Sequence, residues 1–122
     1  MGKTDGGLET PAIDLVEFYI SRAEIAYRSG KVEESLVEAR TALSLCHYKH
    51  FENKKTAIRI FIARGLSKLG DIEGSNAEYR ALIDDKIYLP PIILGLMHNN
   101  LIAFKDDKAK SNMGLIKLYF PE

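Results

Sequence analysis

Apolar side chains return every three or four residues along most of this chain, and nowhere do they alternate with polar ones between turn signals. That spacing gathers them on one face of a helix and leaves no strand to pair, so an all-α fold is expected. Val16, Tyr19, Ala23 and Ala26 form the first such face. Its start is set at Thr10-Pro11, where threonine can cap orphan amides and proline has no amide to satisfy, and Gly30 stops it. Val32, Leu36, Ala39, Leu43 and Cys46 form the second face. Beyond a polar connector from His47 to Glu52, Asn53 is placed to cap a third helix carrying Ile58, Ile62, Leu66 and Leu69, which Gly70 ends. Asp71 opens a fourth with Ile72, Tyr79, Leu82 and Ile83. Pro90-Pro91 restarts the chain through Ile92, Ile93, Leu96, Met97 and Leu101, ending near Lys105-Asp106, and a last helix is expected over roughly 107–119. The short turns make neighbours antiparallel. Residues 1–9 read as a flexible leader, and 10–122 as one domain.

Composition narrows the function classes. Seventeen basic residues balance seventeen acidic ones, which removes the excess that phosphate backbones or anionic lipids select, so neither nucleic acid nor membrane is an expected partner. No window reaches the roughly 20 apolar residues of a membrane span, and the first residues hold no apolar signal core. The single cysteine, Cys46, excludes an internal disulfide framework and fits a reducing compartment, so a cytoplasmic or nuclear protein, not a secreted one, is expected.

The chain offers little for catalysis. Cys46, His47 and His50 are the one candidate metal cluster, short of the four ligands of a closed zinc site and far in sequence from His98; Cys46 reads better as a core residue. No serine sits in a strand-to-helix elbow. Asp84-Asp85 and Asp106-Asp107 lie at connectors, where carboxylates are solvated, and no glycine-rich loop follows a strand. The expectation is therefore no enzyme, no cofactor and no metal. Two helices over Ala63 to Ile83 raise a regulatory helical domain of a transcription factor as an alternative, but the would-be reading helix brings one arginine, Arg80, against Glu73 and Glu78.

An internal repeat refines the fold. Ala26 to Glu33 superposes on Leu66 to Glu73, forty residues on, each with a helix-ending glycine, a polar residue and a β-branched residue opening the next helix. Small residues fall on Ala23 and Ala63, and Ala39-Arg40-Thr41-Ala42-Leu43 is answered by Tyr79-Arg80-Ala81-Leu82. The chain thus resembles the tetratricopeptide-repeat family in degenerate form, with Ser35 and Ser75 at the second-helix alanine and the repeat lengthened by the connector. The resemblance implies antiparallel helical hairpins stacked as a short right-handed α-solenoid of five to six helices, in units of about 16–49, 56–85 and 92–119.

In that family the first helices of successive hairpins line a concave groove. The resemblance assigns to it Glu17, Ile20, Glu24, Tyr27 and Arg28, then Ala57, Ile60, Arg64, Ser67 and Lys68, then Ile93, Leu96, Asn100 and Phe104. The positions with which chaperone-binding members hold a terminal carboxylate carry Ile20, Glu24, Phe61, Ile93 and Met97, none of them a suitable donor. Apart from the family, helix one bears a second apolar stripe of Ile13, Ile20 and Tyr27 that something must cover. The implied function is an adaptor or scaffold module that binds an apolar peptide or amphipathic helix of another protein. The alternative is a self-associating structural domain joined through its C-terminal helix, on the evidence of Leu115-Ile116-Lys117-Leu118-Tyr119-Phe120.

Overall fold

The structure is a computed structural model that describes residues 3–47 and 51–110, with side chains described for 15–47 and 51–105. It is all-helical over these residues: α1 (Lys3–Arg28), α2 (Val32–Ser44), α3 (Glu52–Lys68), α4 (Ile72–Asp84) and α5 (Pro90–Lys110), with no strand among them. Each helix packs on the next in sequence, and α3 also touches α5. His50 and residues 111–119 of the expected last helix, with the Leu115 to Phe120 run, lie outside the described residues.

Two turns share one geometry. Gly30 and Gly70 take φ of +84° and +93°, a left-handed conformation that costs glycine little. The Lys31 amide then donates to the Ala26 carbonyl, and the Asp71 amide to that of Leu66, both at 2.8 Å, closing the helix ends as Schellman motifs. The end of α4 repeats the pattern without a glycine: Lys86 sits at φ +67°, and the Ile87 amide donates to Leu82 at 3.0 Å. Of the expected caps, Asp71 accepts from the Gly74 amide at 2.9 Å. Asn53 does not cap α3, whose cap position falls two residues earlier, on Phe51, which is buried in the core. The apolar anchor of Phe51 fixes the helix start more strongly than a side-chain cap two residues on.

Both ends of the chain depart from expectation in the backbone. Helix α1 begins at Lys3, so Thr10 and Pro11 lie within it, and α5 runs through Asp106-Asp107 to Lys110 without a break. Two adjacent aspartates are poor helix formers, but neither removes a backbone donor as proline does.

The core has two parts. Val16 and Ala23 of α1, Leu36, Ala39 and Ala42 of α2, Cys46, Phe51, and Ile58 and Ile62 of α3 form the first. Ala63, Tyr79, Leu82 and Ile92 form the second, where α3, α4 and α5 meet. Ala63 thus serves the contact with α4 and α5. The close approach of α3 to the preceding hairpin falls instead to Gly65, where an added Cβ would stand 2.6 Å from Leu36 Cδ2.

A buried polar chain ties the second core together. Asn99 Nδ2 donates to Ser75 Oγ and to Asn76 Oδ1, both at 2.8 Å, and Ser75 Oγ donates to the Ala63 carbonyl at 2.7 Å. The Ser75 hydroxyl spends its only proton on Ala63, so it can only accept from Asn99; this fixes the Asn99 amide and leaves its fully buried Oδ1 without a partner.

Candidate functional site

Helices α1, α3 and α5 border a groove made of three adjacent hollows. Its end between α1 and α3 is a hollow of about 240 Å³ against Glu17, Ile20, Ala57 and Phe61. The middle, about 280 Å³, lies against Glu24, Tyr27, Arg28 and Arg64 and shares Glu24 and Phe61 with the first. The far end, between α3 and α5, is the largest at about 650 Å³; it shares Tyr27 and Arg64 and adds Lys68, Leu94, His98 and Ile102. The shared residues make the three hollows neighbours.

The helical period explains the α3 border: Ala57, Phe61, Arg64 and Lys68 are four, three and four apart, one stripe of one helix. Tyr27 and Phe61 face each other across α1 and α3 with ring centroids 5.5 Å apart and planes tilted by 59°, so the middle of the groove has an aromatic floor. On α5, Gly95 permits Tyr79 to lie against the backbone, since a Cβ there would collide with the end of the tyrosine ring. Burial pushes the Tyr79 hydroxyl above the usual tyrosine pKa, against a smaller opposite pull from Arg64, so at neutral pH it is an uncharged donor at the groove wall.

Charge divides the groove lengthwise. At the α1 end Glu17 pairs with Lys54, and Glu24 stands nearby. At the α5 end Arg64 and Lys68 have no ion-pair partner among the described residues, and no carboxylate lines that hollow. Arg22 and Arg59 are engaged outside the groove, with Glu38 and Asp85, each at 2.9 Å, while Arg28, Arg40 and Arg80 are, like Arg64 and Lys68, without an ion-pair partner among the described residues.

Of the residues assigned from sequence, Glu17, Ile20, Glu24, Tyr27, Arg64, Ser67 and Lys68 are brought together on this groove. Ile60 and Leu96 are placed elsewhere, packed against the second core, while Asn100 is exposed on α5 away from the lining. Their places are taken by Phe61 on α3 and by Leu94, His98 and Ile102 on α5. Of the second stripe on α1, Ile20 and Tyr27 are half-buried beside α3, and the Ile13 side chain lies outside the described residues.

Cys46 is buried; its thiol donates to the Ala42 carbonyl at 3.4 Å, and burial raises its pKa, against smaller opposing pulls from Lys55 and Lys54. Among the described residues no three His, Cys, Asp or Glu side chains cluster as metal ligands would, and no helix is long and apolar enough to cross a membrane. Comparison with family models, with curated proteins and with solved structures finds no match to this chain.

Proposed function

We propose that this chain is a protein-interaction module, built of tetratricopeptide-type hairpins stacked as a short right-handed solenoid, which receives an apolar peptide or amphipathic helix in the groove bordered by α1, α3 and α5. The observation that carries this reading is the groove itself: three adjacent hollows along α1, α3 and α5, with Ile20, Tyr27, Phe61 and Leu94 in their linings. Apolar burial supplies the affinity, while Glu24, Arg64 and Lys68 at the rim set orientation and association rate. Leu94 tests it cleanly, because the side chain is 61% exposed and belongs to neither core, so Leu94→Asp leaves the fold intact. A peptide selected from a random library on the whole chain is expected to lose about tenfold or more in calorimetric affinity for Leu94→Asp. Unchanged affinity in the folded variant removes the groove assignment.

A second reading, self-association, draws on a separate surface. Ile93, Met97 and Leu101 of α5 are each about half exposed on neighbouring turns, an apolar strip outside the groove lining. A second copy covering it would give a dimer in sedimentation equilibrium at high micromolar concentration, whereas a monomer there removes this reading.

A further inference from the structure

The groove's two ends differ in chemistry, and the difference specifies what the α5 end takes. That end has the largest volume, two unpaired cations in Arg64 and Lys68, and no acidic residue in its lining, in a chain whose overall charge is balanced. Behind its lining lie the buried Tyr79 ring and Asn99, whose Oδ1 has no hydrogen-bond donor. Leu94 and Ile102 supply apolar surface on α5 beside these groups.

We infer that the partner is a peptide segment with an acidic side chain next to apolar ones, seated so that its carboxylate lies between Arg64 and Lys68 and its apolar side chains rest on Leu94 and Ile102. This rests on the groove being the binding face. The carboxylate supplies the charge that the two cations lack. Two cations in an electrically neutral chain are too few for a phosphate backbone, which favours peptide over nucleic acid.

The test is a double-mutant cycle on the whole chain, using a peptide enriched from a random library and its version with Asp and Glu replaced by Asn and Gln. Enriched peptides are expected to carry acidic residues. Neutralising them should weaken binding about threefold to fivefold on the unaltered protein, and not on the Arg64→Gln, Lys68→Gln double variant. The loss should shrink in high salt. The inference is overturned if enriched peptides lack acidic residues, or if neutralisation costs the same on both proteins, while Leu94→Asp still abolishes binding; the groove reading then survives alone. Binding indifferent to Leu94→Asp, or no enrichment at all, overturns the groove reading and this inference with it. Displacement of the peptide by a single-stranded oligonucleotide as effective as by unlabelled peptide assigns the cations to nucleic acid and likewise overturns it.

Discussion

Ser35 and Ser75 occupy corresponding positions forty residues apart, both fully buried, and their hydroxyls meet opposite fates. Ser75 bridges the Ala63 carbonyl of α3 and the Asn99 amide of α5, whereas Ser35 Oγ has no partner. Burying a hydroxyl without a partner costs free energy that a satisfied one recovers. Urea melts should therefore show Ser75→Ala less stable by about 1–3 kcal/mol, and Ser35→Ala neutral or more stable by up to about 1 kcal/mol. Equal losses at both sites would mean that Ser35 has a partner after all. Ionisation gives a second expectation at this scale. Burial raises the pKa of both Cys46 and Tyr79 in the folded chain, so each releases its proton more readily when unfolded. Their contribution is fully present below the unfolded values and is lost as pH climbs past the ordinary thiol and phenol pKa values of about 8.5 and 10. Melts across pH should show no loss from these two groups through neutrality and a decline on the alkaline side, with Cys46→Ala delaying the onset.

At the scale of the element, the three Schellman-type ends differ in the residue that takes the left-handed turn. Gly30 and Gly70 suit it, while Lys86 takes the same conformation with a Cβ. Lys86→Gly should stabilise by about 0.5–1 kcal/mol, and Gly70→Ala should destabilise by about 1–2 kcal/mol, both measurable by thermal melting. The reverse order would place the left-handed turn elsewhere. These ends also explain what the sequence made legible. The helices and most of their joins follow from three-and-four spacing and from glycine and proline punctuation, all of which act locally. The groove register does not. Ile60, Phe61 and Ile62 are consecutive apolar residues, so spacing alone leaves open which one faces outward; packing turns Ile62 and Ile60 to the cores, while Phe61 rests on the edge of the first core and also lines the groove. Helix α5 is apolar on nearly every face, so its period names no inward side, and Leu96 packs against the second core while Leu94 and His98 line the groove. Asn99 escaped notice because a buried asparagine looks like a surface one until its partners are in place.

At the scale of the whole molecule, helices that pack chiefly on their neighbours in sequence spread damage at a shared contact and confine it elsewhere. Ala63, fully buried where α3, α4 and α5 meet, is such a contact, and Ala63→Leu should overpack it at a cost of about 1–3 kcal/mol. Ser67 is half-buried at the groove wall, so Ser67→Leu should leave the denaturation midpoint nearly unchanged and alter peptide affinity instead. A neutral Ala63→Leu beside a destructive Ser67→Leu would exchange the inward and outward faces of α3. The central claim, that binding takes place on the face shared by α1, α3 and α5, is tested most directly by mapping amide chemical shifts during titration with a library-selected peptide. The expected shifts cluster on Ile20, Tyr27, Phe61, Arg64 and Leu94, with Glu34, Arg40 and Arg80 on the outer surfaces of α2 and α4 unmoved. Shifts concentrated on α2 and α4, with the α3 stripe from Ala57 to Lys68 silent, would contradict it.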